Sequence, residues 1–247
     1  MADNKTTRKW KEALADEKEI FTAKELFDLI QFNAQGKFEQ SLKDKLAETN
    51  VPEDIELAME LAACIATINE FMFQDRPMLQ FHTCKEGGVA YYFSPHNNPQ
   101  MYYGITVRDL KKDLEGVVQQ EGRSLIVGDN GKFVNPSRRF SKEMYFLQVA
   151  VHEVRHRVQE LPDFKLFAPQ HAATEGQPLK KLIKFQDTFF QKQEKRLRER
   201  GVDEPTISKR LSPIEFDAEV VDAFAKNKIY HGITLQEFFS LASLMPD

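Results

Sequence analysis

Val151-His152-Glu153-Val154-Arg155-His156 places two histidines four residues apart with a glutamate between them. On a helix, positions i and i+4 lie on one face about one turn apart, so both imidazoles can aim at a single metal ion. Glu153, one step round, can reach a water on that metal. Zinc suits such a site, because it lowers the pKa of a bound water toward neutrality while the carboxylate takes the proton and later returns it to a leaving amine. Two histidines undersupply a catalytic zinc, which takes three protein ligands and a water. The segment Ser212-Pro213-Ile214-Glu215-Phe216-Asp217-Ala218-Glu219-Val220-Val221-Asp222 offers the third. Glu215 and Glu219 share a helical face and Asp222 continues the row. Glu215 is the expected ligand, with Glu219, Asp217, Asp222 and His171 as alternatives. Against it stands a local role, since Glu215 occupies the third helical position of a capping box and can cap its own helix.

These residues must be carried by helices, and the sequence marks where the helices start and stop. A helix over 141–160 ends before Pro162, and a second over 178–200 stops at Gly201. A third begins at Ser212-Pro213-Ile214-Glu215 and the last at Thr234-Leu235-Gln236-Glu237, both capping boxes. Upstream, Thr22-Ala23-Lys24-Glu25 opens a helix, and Asn50, Pro52, Glu53 and Asp54 open a longer one through Phe73. Between these helical ends the period changes. Segments 79–82, 89–93 and 101–107 are short, aromatic and β-branched, separated by Gly87-Gly88 and by 94–99. A charged helix follows over 108–121. Segments 125–127 and 132–134 flank Gly128-Asp129-Asn130-Gly131, a hairpin turn signal. Helices, a small partly antiparallel sheet, then helices describe an α+β fold.

Arg155 stands between the two histidines among Val151, Val154 and Val158, so its guanidinium is expected to be at least half-buried and to need a carboxylate. Asp217, Glu219 and Asp222 are the expected suppliers, which would tie the two metal-bearing helices together. Other residues of suggestive type have plainer readings. His82 and Cys84 read as packing, Tyr145 as core, and the lysine- and arginine-rich helix over 178–200 as a solvated amphipathic surface.

The bulk properties exclude several classes. Lys+Arg 34 against Asp+Glu 38 in 247 residues gives a net charge of −4, without the basic excess of a dedicated nucleic-acid binder. Hydrophobic content of 41% supports a folded core without disulfide staples, and two cysteines fit a reducing compartment. The first 20 residues carry no apolar leader and no apolar run reaches membrane-spanning length, so a cytoplasmic protein without membrane contact is expected.

An HExxH helix followed by a carboxylate on a later helix resembles the gluzincin metallopeptidases. The approach Phe133-Val134-Asn135-Pro136-Ser137-Arg138-Arg139-Phe140 is similar to that of the small ImmA/IrrE-like and minigluzincin members. Those place a short sheet before the motif helix and carry an E-x-x-A ligand helix ending in Phe-Ala, as Glu215-Phe216-Asp217-Ala218 and Phe224-Ala225 do here. The run from His152 to Gln159 looks like the HExRHxxQ variant of uncharacterised bacterial and phage zincins. The resemblance spans 89–245. It implies a zincin-like domain over 77–247 behind an N-terminal helical region over 1–76. It also implies zinc on His152, His156 and Glu215, Glu153 as general base and acid, and a protein or peptide substrate. His231, expected in a loop after the ligand helix, would donate to the tetrahedral oxyanion as gluzincins often arrange. A zincin scaffold kept for binding or regulation is the competing expectation, and Glu153 argues against it because such a protein has no chemical need for the acid.

Overall fold

The computed structural model describes residues 12–15, 17–34, 52–82, 89–94, 101–121, 126–128, 131–134 and 141–246. Asn50, Gly87-Gly88, Cys84, Asp129-Asn130 and the approach over 135–140, all used above, lie outside the described residues.

Everything is built around α4 (Lys142–Val158), the helix that carries the motif. Ser141 caps its start, the hydroxyl accepting from Met144 N–H at 3.3 Å. Phe146, Leu147, Ala150, Val151 and Val154 are fully buried, an apolar surface broad enough to be covered from several sides. On one side lies α2 (Pro52–Phe73), with α1 (Ala23–Ala34) packed over both. On another lies α7 (Pro213–His231), backed by α5 (Gln177–Glu199). The small sheet β2 (Leu79–His82), β3 (Ala90–Phe93) and β4 (Tyr102–Thr106) covers part of the rest. Its strand order is β2-β4-β3, with β2 parallel to β4 and β3 antiparallel at the edge. The chain is α+β with a mixed sheet.

Two capping boxes form as the sequence indicates. Thr22 N–H reaches Glu25 Oε2 at 2.9 Å while Glu25 N–H reaches Thr22 Oγ1 at 3.3 Å, and Thr234 and Glu237 exchange the same pair ahead of α8 (Leu235–Ser240). The start of α3 (Leu110–Glu121) is handled differently. Its Lys111 N–H is held by Asp54 Oδ1 at 2.7 Å, an acid from the start of α2 serving another helix.

The hairpin of β5 (Ile126–Val127) and β6 (Phe133–Val134) is antiparallel but forms a separate two-stranded sheet. It docks on α7, where Asn227 Oδ1 accepts from Val127 N–H at 2.8 Å and His231 Nε2 meets Val127 O at 2.9 Å. A helix that the spacing did not suggest, α6 (Glu204–Arg210), starts on the Asp203 cap.

Among the described residues, the expected division at residue 76 separates no second core. Leu26, Ile30, Leu61, Ile65 and Ile68 belong to the same buried cluster as Leu147, Val151, Val220 and Phe238. The two regions are also stitched by main chain, because β1 (Ile20–Phe21) pairs antiparallel with β7 (Ile233–Thr234). Gly232 makes that pairing possible: its φ is +93° and a Cβ there would sit 2.7 Å from Ile20 Cγ2. Among the described residues no helix is long and apolar enough to cross a membrane.

Candidate metal centre

His152 and His156 project from the C-terminal half of α4, and Glu215 from the first turn of α7, where the two helices pack together. The capping arrangement at α7 is only half made. Ser212 Oγ accepts from Glu215 N–H at 3.2 Å, but the Glu215 carboxylate turns toward the histidines instead of back to its own cap. Its oxygens lie 3.9 Å from His152 Nε2 and 3.8 Å from His156 Nε2, and the two Nε2 atoms are 3.2 Å apart. All three donors fall within 4.8 Å of one another, the one such group among the described residues. Zinc bonds of about 2.0–2.2 Å in a regular tetrahedron put neighbouring donors about 3.3–3.6 Å apart, so the spacing needs only small adjustments to fit that ion. His152 is mostly buried, and burial, aided by neighbouring His156, pushes its pKa down to about 3, which keeps it neutral and available as a ligand.

Glu153 lies beside this group and is 6% exposed. Burial, then the nearby charge of Glu215 and that of Asp222, pushes its pKa up to about 8, while a hydrogen bond from Tyr92 N–H works the other way. Its Oε2 is buried with no hydrogen-bond partner. An orphaned carboxylate oxygen is costly, and it is expected where a reacting group or water belongs. The strand β3 explains the Tyr92 bond. Val89 O accepts from Thr106 N–H at 3.0 Å, so by the antiparallel alternation the peptide groups of Ala90 and Tyr92 face away from β4. That outer edge is the one turned to α4.

Arg155 is wholly buried and makes the expected bidentate pair: Nε to Asp217 Oδ2 and Nη2 to Asp217 Oδ1, each at 2.7 Å. Its Nη1 donates to Ala242 O at 2.9 Å and to Leu244 O, and its plane lies over the Phe164 ring at 4.3 Å. Asp217 also accepts Phe167 N–H at 2.7 Å and Gln159 Nε2 at 2.5 Å, which occupies it fully and removes it as a ligand. Arg157 faces elsewhere. It is paired with Asp75 at 2.6 Å, bonded to Asn69 Oδ1 at 2.7 Å, and lies 3.9 Å over the Phe73 ring.

The remaining candidates are not brought to the triad. His171 sits in a short turn (Pro169–Ala173), its Nδ1 accepting from Ala168 N–H. Glu219 lies one turn past Glu215 and outside the group, and Asp222 accepts from Gln148 Nε2 at 2.6 Å. His231 is a correction. The helix from Pro213 runs unbroken to His231, sixteen residues past Glu215, or about 24 Å at 1.5 Å per residue. It therefore sits in the last turn of α7 holding the hairpin, not in a loop over the metal centre. Gln159, which entered above only as the end of the HExRHxxQ run, and the Tyr92 main chain are contributors to which the sequence assigned no role. Gln159 stands three positions after His156 and so shares its face, which is the signal that could have found it.

Comparison with known proteins returned no matching family model, no matching curated protein and no matching solved structure.

Proposed function

We propose that this chain is a cytoplasmic zinc-dependent peptidase with a zincin-like arrangement, in which His152, His156 and Glu215 hold the metal and Glu153 moves the proton. The observation that carries this reading is the convergence of three metal-type donors beside a buried carboxylate whose Oε2 has no partner. Zinc held there would supply Lewis acidity, polarising a carbonyl and acidifying a water near neutral pH. Glu153 then has a defined task. In its ionised form the partnerless Oε2 accepts the proton of the attacking water, and the same oxygen returns that proton to the amine nitrogen as the peptide C–N bond breaks. Tyr92 N–H holds the carboxylate in place.

The test is metal analysis joined to one substitution. Purified protein should bind one zinc per chain, and His152→Ala or His156→Ala should abolish that uptake. Glu153→Gln should retain zinc yet lower hydrolysis of an unstructured protein substrate by roughly 10²–10⁴-fold or more. Full metal content in both histidine variants would place the metal elsewhere. Unchanged turnover in Glu153→Gln would remove the glutamate from the chemistry.

A further inference from the structure

The hydrogen bonds around Gln159 determine which nitrogen of His156 carries its proton. Gln159 Nε2 lies 2.5 Å from Asp217 Oδ2 and 3.0 Å from the carbonyl of Ile214. Both neighbours are acceptors: Asp217 is held as a carboxylate by the two nitrogens of Arg155, and a carbonyl has nothing to donate. The amide must therefore present its NH₂ to them, and its Oε1 falls 3.0 Å from His156 Nδ1. Oε1 can only accept, so Nδ1 carries the proton. In the neutral ring this leaves the lone pair on Nε2, the atom that faces Glu215 and His152.

The chain continues beyond Asp217. The guanidinium that fixes Asp217 is anchored by Ala242 O and Leu244 O, at the far end of the described chain. A single run of contacts, His156–Gln159–Asp217–Arg155–Ala242, thus connects a metal-type donor to the C-terminal segment. All of it lies on the side of His156 away from the triad.

We infer that Gln159 and Asp217 are positioning residues that lock His156 in the Nδ1-protonated tautomer with Nε2 open toward the triad, and that Arg155 couples this lock to the segment 242–244. The tautomer lock follows from the donors and acceptors alone; its consequence for metal rests on the zinc-site reading above. Partners of this kind to a ligand histidine are worth roughly 10–100-fold in metal affinity.

The experiment uses the whole protein and Gln159→Met, which keeps the side-chain length but can neither accept from Nδ1 nor donate to Asp217. In metal-free wild type, imidazole ¹⁵N shifts of His156 should report a single Nδ1-protonated form. In Gln159→Met they should report a mixture of tautomers. Zinc affinity, measured by chelator competition, should fall roughly 10–100-fold, with thermal unfolding moved far less than by Arg155→Met. Wild type that takes up no zinc, while Gln159→Met still releases the tautomer, would sustain the lock and remove the metal reading. A His156 tautomer and a zinc affinity both indifferent to Gln159→Met would overturn the inference, as would a wild-type ring protonated on Nε2.

Discussion

Arg155 shows how far one residue's chemistry is set by burial. A guanidinium with no exposed surface must have its charge and its donors satisfied, and here two carboxylate oxygens, two carbonyls and an aromatic face do so. Replacing one member strands the other. Arg155→Met should cost about 3–5 kcal/mol, because Asp217 is left as an unbalanced buried charge. Chemical denaturation followed by far-UV circular dichroism reads that loss directly, and a change below 1 kcal/mol would mean the pair is not buried in solution. The need for a carboxylate opposite Arg155 was legible in the sequence, since valines surround it at helical spacing. The choice of Asp217 over Glu219 or Asp222 was not. That choice depends on how α7 is rotated against α4, and Phe216, Val220 and Val221 on α7 fix the rotation by packing, which one-dimensional periodicity leaves open.

Among the elements, α4 is held to its surroundings by polar clasps as well as by apolar packing. At its outer end Arg157, Asp75 and Asn69 join α4 to the last turn of α2 and the residues after it, and Tyr103 Oη donates to Asn69 Oδ1 at 2.9 Å from β4. The Arg157 hydrogen bonds hold the Asp75 carboxyl below the usual carboxylate range. A group with a depressed folded pKa contributes stability that is present above its unfolded value and lost as pH falls through the folded one. The stability difference between wild type and Asp75→Asn should therefore be flat above about pH 4–5 and shrink below it. Urea midpoints across pH 2.5–7 check this, and a gap that widened on acidification would contradict the clasp. Element boundaries with chemical markers were readable: Thr22, Ser141, Ser212 and Thr234 each cap where expected. The two-residue strands β1 and β7 were not, since two residues are too few to show alternation and their pairing joins distant parts of the chain. The helix α6 carried an Asp203-Glu204-Pro205 start that could have been read. His231 was misplaced because its neighbour Gly232 ends α7 only after the helix has run past the His152–His156–Glu215 group.

At the scale of the whole molecule, the N-terminal helices and the motif helix share one core, so they should lose structure together. Ile30 is fully buried in α1, and Ile30→Ala should lower stability by about 2–5 kcal/mol through lost burial and an unfilled cavity. Differential scanning calorimetry should show a single transition that moves to lower temperature as a unit. A separate early transition, with the remainder unchanged, would restore an independent N-terminal region. The anchoring of Arg155 by Ala242 and Leu244 has a consequence in time. The two partners are 89 residues apart in sequence, and at 5–20 residues per second a ribosome takes about 4–18 s to cover that interval. Late in that interval both histidines and Glu215 have been polymerised, while the arginine between the histidines still lacks the carbonyls that seat it. The buried setting of Arg155 is thus completed only after every residue of the His152–His156–Glu215 group has been synthesised.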